Sequence, residues 1–286
     1  EWPIQVLEEN CFRGLDLVFF SSGDDISKVW APKAIADGAW AVDNSAAFRM
    51  DNAYPLVVPE VNGGLLGNYK TPTIVANPNC STIQLVVALN PLYKKFGITR
   101  VHVASYQATS GAGKNGIEEL FKQTQIYING EEPPAGPTFP ETIAFNCIPQ
   151  IGSFTSDGFC TEEVKIMTES CKILRAPELK VSAFTVRVPV TNVHAEAVWV
   201  TLDKKASLTD VVNCLELGDG LVLQKPSEKP PYTTQAKATN TDPVYIGRIH
   251  QDRHDSQTFL LWIVADNVRK GAALNGVQIA EQIFNS

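Results

Sequence analysis

No apolar run in this sequence approaches the roughly 18 residues that a membrane span needs, so no membrane partner is expected. The opening residues, Glu1 to Gln5, show neither the basic nor the apolar stretch of a secretory leader. The only six cysteines, Cys11, Cys80, Cys147, Cys160, Cys171 and Cys214, include no CxxC pair. That spacing suits neither a disulfide scaffold nor a zinc site, so no metal is expected and a reduced, cytoplasmic compartment fits. Positive charge is not in excess either: 24 basic residues stand against 31 acidic ones, for a net charge of −7. This argues against a nucleic-acid partner. It leaves an anionic small-molecule substrate open, because a local basic pocket does not show in a net charge.

What is present is ordinary globular composition over 286 residues, 44% hydrophobic and 19% charged, enough for a sizeable core in one large or two medium domains. The first part alternates strand and helix signals. Leu15 to Phe20 (LDLVFF) is a near-continuous apolar run, as in a strand covered on both faces. A turn at Ser21–Gly23 follows, then a helix over 26–36 and strands over 39–42, 55–61 and 73–76. Such βα succession predicts a parallel, doubly wound sheet. Beyond it the pattern predicts helices over 81–96, 114–127, 161–174 and 272–284, strands over 100–104, 181–188, 195–202 and 258–265, and a Pro/Gly-rich loop over 130–140. There are no internal repeats.

The most informative stretch is Asn77-Pro78-Asn79-Cys80-Ser81-Thr82. Pro78 cannot continue a strand and keeps Asn77 out of helix, so the chain turns just before Cys80 and a helix starts there. A thiol at a helix N-terminus meets the positive end of the macrodipole and free N–H groups, both of which favour thiolate. Asn79, Ser81 and Thr82 can cap that helix or donate to a developing oxyanion. The bland reading of Cys80 is a small residue buried under a helix start; the other five cysteines carry only that reading.

Arg187 and His194 lie seven apart, across a strand end (RVPVTNVH). A histidine within reach of a cysteine can take its proton and return it; a histidine merely satisfied in a turn is the competing reading. Arg49 follows a strand end in Ala47–Asp51, and Glu162 and Lys165 share a helix face, the latter pair also readable as a surface ion pair. Tyr106 to Gly113 is a Gly-rich turn of the kind that lets a ligand approach backbone, though plain loops look the same.

Taken together, VDNSAAFRMD, PLVVPEVN, NPNCST, SYQATSGAGKNGIEEL, IAFNCIPQIGSF, VRVPVTNVHAEAV, VYIGRI and LWIVADNVRKGAALNGVQIAE, in this order and spacing, resemble the aspartate-semialdehyde dehydrogenase family along almost the whole chain. N-acyl-glutamyl-phosphate reductases and glyceraldehyde-phosphate dehydrogenases, of similar architecture, match less well around the cysteine. The resemblance implies NADPH-dependent reductive dephosphorylation of L-aspartyl-4-phosphate to aspartate semialdehyde and phosphate, in lysine, threonine and methionine biosynthesis. Carried over residue by residue, it implies that Cys80 forms a thioester, with Asn79 beside it, that His194 is the acid/base, and that Gln107 orients the substrate. Arg187 and Glu162 would hold its carboxylate and amine, Arg49 and Lys165 its phosphate. Ser110, Gly111 and Asn267 would approach the nicotinamide of NADP.

The implied fold is α/β: an incomplete Rossmann-like, doubly wound NADP-binding domain over residues 1–78 plus 267–286, and an α+β catalytic and dimerisation domain over 79–266. The implied assembly is a homodimer or a dimer of dimers. Three features depart from the family pattern. No GxxGxxG turn precedes Leu15, which suggests a fragment or a truncated product and admits a non-catalytic paralogue, a dimer partner, as the alternative; a related acyl-phosphate reductase is another. Gly23-Asp24-Asp25 puts carboxylates where the family has small residues, and they would repel cofactor phosphates if they pointed inward. Val193 stands where the family has glycine before the histidine, a strained choice if that site needs positive φ.

Overall fold

The computed structural model describes residues 4–285; Glu1–Pro3, the start of the segment read as lacking a leader, lie outside them. The chain divides into two compact units, one of residues 1–78 with 275–286, the other of 79–274. Residues 267–274, assigned from sequence to the nucleotide-binding part, thus fall in the second unit.

The first unit holds a three-stranded parallel sheet of β1 (Leu17–Phe20), β2 (Trp40–Asp43) and β3 (Ile74–Ala76), in that order. Helix α1 (Asp24–Ala36) connects β1 to β2, as the apolar run followed by a glycine turn predicts. The expected strand over 55–61 is corrected: Pro59–Asn62 is a short helix, α2, with Pro59 in its first turn, and only Leu56 bridges to Ala76. The cause is local. Asn62 accepts from the Val58 N–H and donates to Leu56 O, which folds the segment back on itself. The core is Val42, Val57, Leu66, Val75 and Ile279.

At the end of β2, Asp43 is fully buried, accepting from the Ser27 hydroxyl and from both the N–H and hydroxyl of Ser45. Asp24 accepts from the Ala46 N–H at 2.8 Å, so this carboxylate has a protein partner of its own.

The second unit is built on a mixed six-stranded sheet. Its strands are β4 (Ile98–Gln107), β5 (Lys180–Arg187), β6 (His194–Leu202), β7 (Leu221–Leu223), β8 (Val244–Gln251) and β9 (Thr258–Ala265), ordered β5-β4-β6-β9-β8-β7. β4 runs parallel to β5 and antiparallel to β6. The helices are α3 (Cys80–Phe96), α4 (Gly113–Ile128), α5 (Thr161–Leu174), α6 (Leu208–Glu216) and α7 (Gln235–Ala238). In the first unit α8 (Leu274–Phe284) follows a π-helical turn at Arg269–Ala273.

Helix α3 is buried on all sides through most of its length, from Ser81 to Asn90, the pattern of a helix packed inside a domain rather than on its surface. The sheet face turned inward carries every second residue of its strands. Register places Gln107 beside Arg187, and one step back from the strand ends it aligns Ser105 with Thr185 and with Glu196. The strand ends therefore carry Gln107, Arg187 and His194, above a second polar row of Ser105, Thr185 and Glu196. β8, unpredicted as an element, has a register shift between Gly247 and His250, which blurs its alternation in sequence.

Candidate active site

The turn before α3 is held by partners rather than by apolar packing. Asn79, the N-cap, accepts from the N–H groups of Ser81 and Thr82 at 3.0 and 3.2 Å, an arrangement that stabilises a helix start by about 1 kcal/mol. Two carboxylates of α5 hold Asn79 from the other side: Glu169 accepts its N–H at 2.7 Å, and Glu162 accepts its side-chain amide at 2.8 Å. Cys80, half-buried, is thereby fixed as the first residue of α3. Behind it the π-helical turn brings Gly271 so close that a Cβ there would lie 3.0 Å from the Cys80 Cβ. A side chain at Gly271 would press on Cys80.

Arg187, at the end of β5, is buried. It donates to Ala108 O at 2.7 Å and lies 5.9 Å from the Phe139 ring centroid. Burial lowers its pKa, while the charges of Glu162 and Cys80 oppose that shift; a guanidinium remains a cation under such conditions. Cys80 and Arg187 thus act on each other electrostatically. Glu162 is the hub of the site. One oxygen accepts from Asn79 and from Gln107, at 3.1 Å for the latter; the other accepts from Lys165 at 3.4 Å. Burial alone would raise its pKa, but Lys165, the two amides and Arg187 together hold it below the ordinary carboxylate value. The Glu162–Lys165 pair, readable from sequence as a surface ion pair, thus has its acidic half inside the site.

His194 opens β6 and is fully buried. Its Nδ1 accepts the Ala108 N–H at 3.1 Å, and its Nε2 has no hydrogen-bond partner. Burial first, then the neighbouring Arg187 charge, push its pKa well below the ordinary histidine value. Gly111 packs its backbone directly against both: a Cβ there would lie 2.6 Å from an Arg187 terminal nitrogen and 3.1 Å from His194 Nε2. Any side chain at residue 111 would push Arg187 and His194 apart.

The turn before His194 holds the expected strain, with Val193 at φ 76°. Asn267 accepts the Val193 N–H at 2.9 Å, and Gln235 donates to Val193 O at 2.7 Å. Ser110 joins this clamp, bonded to Asn192 and Asn267 at about 3 Å. Asp266 secures Asn192 and the Asn240 N–H.

Of the residues singled out from sequence, the second unit brings together Cys80, Asn79, Gln107, Glu162, Lys165, Arg187, His194, Ser110, Gly111 and Asn267. Arg49 belongs to the first unit, where it is buried and donates to Asn44 O. Sequence reasoning missed Glu169, Gln235 and the Ala108 peptide. Glu169 left a signal, since it follows Glu162 by seven residues on the α5 face that also carries Ile166 and Ile173. A peptide group leaves none.

The chain is similar to known proteins. Profiles of the semialdehyde dehydrogenase NAD-binding domain and dimerisation domain match residues 1–68 and 89–270. The chain is 45% identical over 282 residues to an aspartate-semialdehyde dehydrogenase of Aquifex aeolicus, covering 98% of this chain and 83% of that one. The chain belongs to the aspartate-semialdehyde dehydrogenase family. A crystal structure of the Vibrio cholerae aspartate semialdehyde dehydrogenase II, complexed with ASA, superimposes with a TM-score of 0.92 at 43% identity, covering 96% of this chain and 81% of that one. The Candida albicans enzyme with NADP gives 0.69 at 25% identity, over 94% of this chain and 77% of that one. The family membership favours an enzyme over the non-catalytic paralogue.

Proposed function

We propose that this chain catalyses the family reaction, in which L-aspartyl-4-phosphate is reduced to aspartate 4-semialdehyde and phosphate, through a thioester on Cys80. The observation that supports it best is the place of Cys80 at the start of α3, whose N-cap Asn79 is held by Glu162 and Glu169. Helix N–H groups and a guanidinium favour the thiolate, and Arg187 can also grip a carboxylate with its planar fork. Glu162 suits the substrate amine and Gln107 the acyl group; Lys165, like Arg49 in the first unit, is of the type that holds a phosphate. The thiolate attacks the acyl carbon, and the carbon–oxygen bond to phosphate breaks, its electron pair leaving with the phosphate.

NADPH, when bound, would supply the hydride. The chemistry of the set fits such a group: the buried His194 Nε2 is a polar atom without a protein partner, packed beside the backbone of Gly111. Ser110 and Asn267 border it, both already bonded within the Val193 clamp. His194 is the acid/base group of the set. The enzyme works as a dimer or a dimer of dimers. Its place is the cytoplasm; among the described residues no helix is long and apolar enough to cross a membrane.

The test is the reverse reaction, following NADPH formation from aspartate semialdehyde, phosphate and NADP. Cys80→Ala is expected to abolish it, by more than about 1000-fold, and Arg187→Lys to weaken substrate use at least about 10-fold, because the fork is lost. Turnover of Cys80→Ala within twofold of the parent chain sinks the thioester route.

A further inference from the structure

The Pro/Gly-rich loop over 130–140 and the chain that follows it are fastened to α4 by polar side chains. Gln123 accepts the N–H groups of Ile143 and Ala144 at 2.9 and 3.2 Å and donates to Pro134 O at 3.3 Å. Glu119 accepts the Thr138 N–H at 2.9 Å. Both anchors are buried, and Leu120, Phe139, Ile143, Ala144 and Ile148 form an apolar cluster beside them. Buried polar groups lose free energy when their bonds break, so these bonds hold the segment in place.

The segment meets Arg187 at two levels. Ile148 exchanges backbone hydrogen bonds with it, donating to Arg187 O at 2.9 Å and accepting its N–H at 2.8 Å. Phe139 lays its ring over the guanidinium, 5.9 Å from ring centroid to guanidinium carbon. The far end of that ring abuts α4, where a Cβ at Gly116 would lie 3.1 Å from Phe139 Cζ. Nη1 of Arg187 is spent on Ala108 O.

We infer that Phe139 is a positioning residue for substrate binding: its ring, held through the Glu119 and Gln123 anchors, sets the plane in which Arg187 meets the substrate carboxylate. This rests on the carboxylate-binding role of Arg187 proposed above. A guanidinium grips a carboxylate with two parallel N–H groups, so its plane must be set before the ligand arrives. An aromatic face attracts a cation, more strongly where water is excluded, and here ring and guanidinium are both buried. Glu162 balances the charge of Arg187, but its hydrogen bonds go to Asn79, Gln107 and Lys165. Orientation of the fork therefore falls to the Ala108 carbonyl and the Phe139 ring.

The test is the reverse reaction of the whole chain with two changes at position 139. Incorporating 3,5-difluorophenylalanine keeps the shape and the Cζ–H beside Gly116 but weakens the negative face of the ring; Phe139→Leu removes the ring. KM for aspartate semialdehyde is expected to rise at least about 3-fold with the fluorinated ring and about 10-fold in Phe139→Leu, with kcat and the KM for phosphate within about twofold. On an Arg187→Lys background Phe139→Leu is expected to add less than about twofold, because the planar group it orients is gone. A Phe139 that only supports the fold lowers kcat too, or keeps its full effect on that background, and either result overturns the inference. So does an unchanged KM in the fluorinated chain, which decides alone if Phe139→Leu does not fold. A parent chain that turns nothing over counts against the proposed function. Aspartate semialdehyde binding without NADP, measured by calorimetry on the parent and fluorinated chains, then decides this inference: a Kd at least about 3-fold weaker supports it, and equal or absent binding overturns it.

Discussion

Two carboxylates of the second unit are equally hidden from solvent and differently treated. Glu162, at the rim where the strands end, is 6% exposed, and Glu196, one row below, is 0% exposed. Glu162 accepts hydrogen bonds from Asn79, Gln107 and Lys165 and stays ionised below the ordinary carboxylate value. Neither oxygen of Glu196 makes a hydrogen bond of good geometry. Gln84, one turn into α3, comes near enough to favour the charged form slightly, yet burial dominates and pushes the pKa to about 8. Burial is common to both, so partners decide the charge. The rim holds ionised groups, and the row beneath is a neutral acid that precedes the apolar core of Val198, Val200 and Leu261.

The largest expected effect breaks that contrast at Glu196. Because its folded pKa is raised, the folded chain keeps a proton that the unfolded chain releases. Below the ordinary value of 4.5 both states are protonated and nothing is lost; as pH rises from there to about 8, stability falls and then levels off. At about 1.4 kcal/mol per pH unit the total approaches 5 kcal/mol. Glu196→Gln keeps the shape and removes the titration. It is expected to match the parent chain near pH 4.5 and to be more stable by up to about 5 kcal/mol at pH 8 to 9. Urea unfolding at both pH values checks this; a difference that does not grow with pH means that Glu196 is not held neutral.

At the rim the same change should have the opposite sign. Glu162 has a lowered pKa, so its contribution is present above the ordinary value of 4.5 and is lost as pH falls through the lower folded value. Glu162→Gln leaves Arg187 and Lys165 without their buried counter-charge. Removing one partner of a buried pair typically costs about 3 kcal/mol, and a loss near that size is expected at pH 7. Equal unfolding midpoints for Glu162→Gln and the parent chain at pH 7 would show that the rim is not held by its charges.

Much of this contrast was not legible in the sequence, for an identifiable reason. Cys80 could be placed because Pro78 and Asn79 dictate a turn and a cap locally, and the structure puts it at the first position of α3. The alternation along β6 puts His194 and Glu196 on one face, but whether a buried acid meets four partners or one depends on α3 and α5, far away in the chain. The Pro55–Val61 segment misled because its apolar run reads as a strand, while the decisive groups are Asn62 and the backbone it bonds. Arg49, Lys165 and Glu162 stand out in the sequence, but only the family resemblance gives them roles; spacing alone does not separate a surface ion pair from a site.

The smallest effect concerns backbone rather than charge, and sharpens the same comparison. At the rim Val193 sits at φ 76°, held by Asn267 and Gln235 on its two peptide groups and packed among Ala195, Ala238 and Val264. One row further into the sheet than Glu196, Val198 is equally buried and in regular strand. Replacing either valine by glycine gives up roughly 2 kcal/mol of side-chain burial and about 0.5–1 kcal/mol of chain entropy, plus whatever cavity remains. Only at Val193 does glycine also relieve a left-handed conformation that costs a side-chain-bearing residue about 1–2 kcal/mol. Val193→Gly is therefore expected to destabilise the chain by about 1–2 kcal/mol less than Val198→Gly, measured as unfolding free energies under one condition. The strain is tolerated because Asn267 and Gln235 hold the turn from both sides, and what the turn aims is the imidazole of His194. Equal losses at the two positions would mean that the clamp at Val193 imposes no strain, and that the rim is rigid for reasons of packing alone.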